Sequence, residues 1–181
     1  IQVSQQLQTN KKASMPNLFR FGMVMDLPYE MEKSVYYGRG PIENYPDRKL
    51  SQRIGRYEQM ADDQFYPYIR PQETGTKGDM RWWKQTDRQG IGLKVVADAP
   101  FYASATHYTI PDVDDGDRKE QRHSYQLKRS CFTELYLDGA HAGVGGIDSW
   151  SGWAEALEPY QVKCEDRAFT FWLLPTETVG D

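Results

Sequence analysis

Glycosylation triplets of the form Asn-Xaa-Ser/Thr are absent from the 181 residues, and cysteine is scarce, with only Cys131 and Cys164. Two thiols are too few for a disulfide framework. Both fall in alternating segments whose same-face neighbours are apolar, Leu135 and Leu137 for the first and Val162 for the second. Both are therefore expected to be buried and unbridged. No apolar run approaches the ~18 residues of a membrane span, and the opening IQVSQQLQTNKK has neither the basic nor the apolar part of a secretory leader. Positive charge is not in excess: the formal net charge is −4 and Lys and Arg are scattered, which excludes the basic stripe of a nucleic-acid binder. A soluble chain with neither nucleic acid nor membrane as partner is expected, and its compartment stays open. Internal repeats, low-complexity linkers and long helical stripes are also missing. So is an initiator methionine, the first Met being Met15, and the opening residues already alternate like a strand. A fragment cut from a longer polypeptide is expected, folded as one domain over residues 1–181.

What is present in quantity is short alternating or aromatic-rich runs separated by turn residues, the pattern of an antiparallel all-β domain. LFRFGMVMDLP, KSVYYGRGP, MRWWKQT, GIGLKVVAD, FYASATHYTI, CFTELYLDG, YQVKC and AFTFWLLP are each predicted to be a strand. TDRQG and the pair Asp138-Gly139 carry hairpin chemistry, because Asp and Gly tolerate the positive φ of tight turns. RKLSQRI and GWAEALEP are expected to make a helical turn or two, the second ended by Pro159. The whole reads as a large β-sandwich with long loops, where function is expected to sit.

Familiar catalytic patterns are largely missing. His107, His123 and His141 lack the close pairing of zinc ligands, so solvated or hydrogen-bonded histidines are expected. In DVDDGD, counting from Asp112, the EF-hand template needs Gly where Asp117 stands and Glu where His123 stands, so a solvated loop tip is expected. Glu43 and Asp47 form a candidate carboxylate pair of the kind glycoside hydrolysis uses. Pro41, Pro46, Arg39 and Arg48 crowd them, and a salt-bridged polar turn is the favoured reading. No G-x-S-x-G, Cys/His signature or phosphate loop occurs. The chain does carry five Trp and twelve Tyr. Exposed Trp on a β-sandwich suits the apolar face of a sugar ring, with polar neighbours taking its hydroxyls. A free-standing carbohydrate-binding module is thus one reading of the composition.

Three motifs narrow the field: YYGRGPIENYPDRK (residues 36–49), PYIRPQETGTKGDMRWW (67–83) and GVGGIDSWSG (143–152). Together, over residues 22–174, they resemble the C-terminal domain of bacterial β-galactosidases of glycoside hydrolase family 2. The resemblance implies a mutarotase-like supersandwich, the last domain of a multidomain retaining enzyme acting on terminal β-D-galactosides. The family domain is longer than this chain, so its first strands are expected to lie outside it. It also implies that the catalytic glutamates, and any metal ions, belong to a (β/α)8 barrel absent here, so that no catalytic residue, metal site or cofactor is expected within these residues. The barrel and a β-galactoside are the implied partners, and bacterial cytoplasm or periplasm the implied compartment.

What the resemblance gives this domain is a loop reaching the barrel's active-site mouth, with Trp150 as the aromatic platform for substrate. Gly143, Gly145 and Gly146 are then expected to turn the backbone out of its strand, with Asp148 and Ser149 holding the turn through nearby amides. Ile147 stands where an Asp is common in that family, and Thr76 and Lys77 where Asn and Arg are, on a segment assigned to structure with Arg81 in a polar turn or domain contact. Trp82 and Trp83 should point to opposite faces of one strand, one to the core and one to solvent or another domain. Trp153 either supports the loop or caps the sandwich. A mutarotase-like enzyme in its own right would need a His and a carboxylate converging in one cleft, for which His141 and Glu73 are the candidates.

Overall fold

Alternation along the chain decides which side chains are shielded from water, and the strands follow from it. The computed structural model describes residues 1–10, 14–114, 122–146 and 155–176. Among these, eight strands run in chain order as β1 (Gln2–Leu7), β2 (Arg20–Pro28), β3 (Lys33–Gly40), β4 (Arg53–Met60), β5 (Lys77–Thr86), β6 (Gly92–Thr106), β7 (Phe132–His141) and β8 (Arg167–Pro175). All ladders are antiparallel. Helix is confined to α1 (Ala61–Gln64), α2 (Ile110–Val113) and short 3-10 turns. None is long and apolar enough to cross a membrane.

The strands form a sheet that forks at β6. One path runs β1-β8-β6-β5-β3-β4, while β7 pairs both with β6 and with β2. β5 lies along one edge of the 15-residue β6. On the other edge the first half of β6 pairs with β8 as far as Ala97, and the second half pairs with β7 from Tyr102 onward. The two branches fold into a sandwich-like pair of layers that is not closed. Between them lie Val95, Phe101 and Ala103 of β6, Leu135 and Leu137 of β7, Phe169 and Phe171 of β8, and Met23 and Met25 of β2 at the margin. Trp83 is fully buried and stacks on Tyr36 with ring centroids 4.8 Å apart, while its Nε1 donates to Gln85 Oε1 at 2.9 Å. Trp82, its neighbour, is half-buried on the opposite face, as the alternation requires.

Several local expectations change. GIGLKVVAD and the first part of FYASATHYTI belong to one strand, β6, whose ladder to β5 shifts register between Met80 and Trp82 without a turn between the two halves. RKLSQRI is not helical: Gln52 N bonds Lys49 O and β4 starts at Arg53. YQVKC contributes only a single bridge, Val162 to Leu18. Of GWAEALEP, residues 152–154 lie outside the described residues and the remainder leads into a 3-10 turn, Glu158–Tyr160.

The TDRQG hairpin is as expected, with Asp87 Oδ1 accepting from Gln89 and Ile91 N–H and with Gly90 at φ 90°. Asp138-Gly139 is instead inside β7. Phe21 pairs with Ala140 and Gly22 with Asp138, so Gly139 is the extra residue of a bulge. A Cβ on Gly139 would lie 2.7 Å from the Phe169 ring, so the glycine serves close packing. The thiols are free, as expected, but Cys131 is exposed and Cys164 half-buried, because each sits just outside a strand where alternation no longer applies.

Candidate functional site

The first two motifs and residues 143–145 of the third are joined by hydrogen bonds. In the first, Tyr45, Pro46, Asp47 and Arg48 form a tight turn closed by Arg48 N to Tyr45 O at 2.9 Å, with Pro46 supplying the fixed φ of its first central position. Tyr45 is wholly buried and anchors the turn. Asp47 is thereby aimed at the end of β7, where its two oxygens accept from consecutive amides: Val144 N at 3.2 Å and Gly145 N at 2.6 Å. Gly143 N is held on the other side by Tyr160 O at 2.8 Å. A Cβ built on Gly143 would stand 2.6 Å from the Asp47 carboxyl carbon, and one on Gly145 2.8 Å from its Oδ2. Neither glycine has positive φ. Their use is close approach of backbone to a carboxylate.

Glu43 and Asp47 do not act as a pair. Glu43 bonds Arg48, Tyr68 and Thr74 side chains and accepts from Gly75 N at 2.7 Å, tying the first motif to the second. The expected polar turn is present around Glu43, but Arg39 is drawn away to Asp79 at 2.7 Å. Arg81 donates to Asp79 O at 2.7 Å, within a polar turn.

His141 and Glu73 do converge, with Nε2 and Oε1 3.7 Å apart. They belong to an internal ionic cluster. Arg20 reaches Asp138 at 3.0 Å and Glu73 at 3.5 Å, and Thr76 Oγ1 donates to Glu73 Oε1 at 2.6 Å. Burial alone would raise the Glu73 carboxyl, but the His141 ring, Arg20 and the Thr76 hydroxyl outweigh it and hold it below its ordinary value. Burial dominates at Asp138, pushing it up to about 6 in spite of Arg20. The His141 side chain is inaccessible, and its Nδ1 donates to the Ala142 carbonyl at 2.7 Å. Of the two, Glu73 alone faces the neighbouring cleft. His107 is likewise buried, bonded to Asp62 and Thr133, and His123 bonds Ile69 O. Among the described residues no group of His, Cys, Asp and Glu could hold a metal ion. Asp112 caps α2 by bonding Thr109, and residues 115–117 of DVDDGD lie outside the described residues.

The cleft has a volume of about 480 Å³. Gln72, Glu73, Arg48, Tyr68 and residues 143–145 are among its lining. Phe19, 49% exposed, lines it too. Such a surface offers a carboxylate and a guanidinium beside an apolar ring, a set suited to hydroxyl-rich ligands. Gly145 and Gly146 are exposed at its rim. Ile147, Asp148, Ser149, Trp150 and Trp153 lie outside the described residues. Asp47, Tyr68 and Gln72 were not singled out for this site by the sequence, since nothing in the local pattern links residue 47 to residue 145.

This is an all-β, sandwich-like domain whose glycine-rich strand end lines a cleft. A family model described as beta galactosidase small chain matches residues 1–173, and the chain belongs to that family. It is similar to a β-galactosidase of Vibrio cholerae, 37% identical over 139 residues, which are 77% of this chain and 12% of that protein. The β-galactosidase BgaC of Bifidobacterium adolescentis is 34% identical over 158 residues, 86% of this chain and 14% of the relative. That of Priestia megaterium is 33% identical over 137 residues, 76% of this chain and 13% of the relative. The chain thus spans only a small part of the length of the relatives it matches.

Proposed function

We propose that residues 1–181 form the C-terminal, non-catalytic part of a retaining β-galactosidase, and that they contribute Trp150 to the substrate site as an aromatic platform. The observation that carries this reading is the family match over residues 1–173 in a chain spanning 12–14% of β-galactosidase relatives. Two features of the described residues support it. Glu43 and Asp47 are both engaged by structural partners, which leaves neither placed as an acid or nucleophile. The backbone leading toward Trp150 is fixed by a carboxylate, as a segment presenting a side chain to a ligand must be. The partners are the catalytic barrel of the same polypeptide and a terminal β-D-galactoside, and residues 1–181 alone hydrolyse nothing.

Steady-state kinetics of the full-length enzyme test it. Trp150→Ala should raise KM, with a loss of roughly 1–3 kcal/mol if sugar stacking resembles that of nucleobases on aromatic platforms. Unchanged kinetics for every galactoside tried would refute the platform.

A further inference from the structure

A second concave surface lies on the outward face of β3, β4, β5 and β6, a groove of about 500 Å³. Its composition follows from the register. Tyr37 lies opposite Trp82 on one side and Arg56 on the other, so two aromatic rings and a guanidinium share one row. In the next row Val35 lies opposite Lys84, and Lys84 opposite Lys94. The Lys94 ammonium rests over the Trp82 ring, 5.6 Å from its centroid. The groove is therefore lined by the Trp82 ring and by several cationic side chains, with Tyr37 beside Trp82 in the sheet.

Its charges are not balanced from within. Lys33 pairs with Glu58 at 2.7 Å and Arg88 with Glu32 at 2.9 Å. Arg56, Lys84 and Lys94 pair with no acidic side chain among the described residues. Lys84 and Lys94 are directly opposed on adjacent strands, an arrangement that weakens a sheet through like-charge repulsion. This excess of positive charge occurs on a chain whose formal net charge is −4. Packing gives no reason for it, since Trp83 and not Trp82 fills the core.

We propose that this face docks against an acidic surface on the part of the enzyme outside residues 1–181. Trp, Tyr and Arg are the side chains enriched where protein surfaces bury each other, and unpaired lysines steer an acidic partner to them. The residues matched in this chain cover 12–14% of its relatives, so a large covalently linked surface is available. The inference rests on this chain being one part of a longer enzyme and is independent of Trp150.

The test is lysine acetylation of the native full-length enzyme followed by mass spectrometry, together with zero-length carbodiimide crosslinking. Lys84 and Lys94 should react severalfold more slowly than Lys163, whose side chain is 60% exposed. They should also crosslink to Asp or Glu outside residues 1–181. Reaction as fast as that of Lys163, or crosslinks only to acids within residues 1–181, would overturn the proposal. Neither readout depends on substrate binding, so failure here is distinct from failure of the Trp150 platform.

Discussion

The clasp between Asp47 and residues 144–145 makes a quantitative prediction about a substitution that touches no substrate. Hydrogen bonds to a charged acceptor are worth about 1.5–3 kcal/mol each. Asp47 makes two, at 3.2 and 2.6 Å, but it is half-exposed and water replaces part of what is lost. A net cost of about 2 kcal/mol for Asp47→Ala is expected once solvent screening is allowed for. That corresponds to a fall in Tm of roughly 4–8 °C for a domain of this size. In the full-length enzyme the same energy lost from the placement of the loop raises KM by up to about 30-fold. Asp47→Asn should fall between, since an amide offers one acceptor and opposes a donor to the second amide.

Gly143→Ala supplies the control. The added methyl would sit 2.6 Å from the Asp47 carboxyl carbon and drive it off the amides. In the Asp47→Ala background that clash is gone, so Gly143→Ala should cost little there. The double-mutant cycle should show a coupling of about 1–2 kcal/mol, within the range for residues in contact. Additive effects in thermal unfolding, or an Asp47→Ala enzyme with unchanged KM, would show that the clasp does not position the loop.

Two further substitutions probe the scaffold. Trp83→Ala should cost about 3–5 kcal/mol by urea denaturation, because its ring is fully buried against Tyr36. The same change at half-buried Trp82 should cost much less, and equal costs would contradict the assignment of faces. Lys77 is buried, with Nζ donating to Gly75 O at 2.7 Å and Gln64 Oε1 at 3.1 Å, and burial lowers it from 10.5 to about 7. The unfolded chain then binds more protons than the folded one between pH 7 and 10.5, so this group makes stability fall as pH falls through that window, by up to about 1.4 kcal/mol per unit. Lys77→Met should shrink the difference in urea midpoint between two buffers chosen within that window, and an unaltered difference would exclude the linkage.

The strands were legible wherever one face is buried and the other wet, as in RFGMVMDLP and AFTFWLLP, because the period of two survives in the sequence. The errors fall where a long-range contact decides the geometry. Asp138-Gly139 has the composition of a turn, yet Arg20 on β2 pairs with Asp138 and the Phe169 ring fills the space beside Gly139, which makes it a bulge. Residues 53–60, RIGRYEQM, form an edge strand with little apolar alternation and gave no signal. Glu43 was legible as part of a polar turn through its own neighbour Arg48. Asp47 was not, since its partners lie 97 and 98 residues away. His141 and Glu73 do lie side by side, but their burial beside Arg20 and Asp138 depends on two strands and a loop that no local pattern records.

Among the described residues the ladder of edge strand β1 runs to β8, and the amino group of Ile1 reaches the carbonyl of Leu173 across 172 residues of chain. β8 in turn is the strand that completes the first half of β6. Synthesis therefore delivers the template for β1 long after β1 itself, and neither the β1 edge nor that branch of the fork can be laid down until β8 has been made. Contacts of such separation make for slow folding, in contrast to the fast folding of a helical domain of equal length, whose contacts are local.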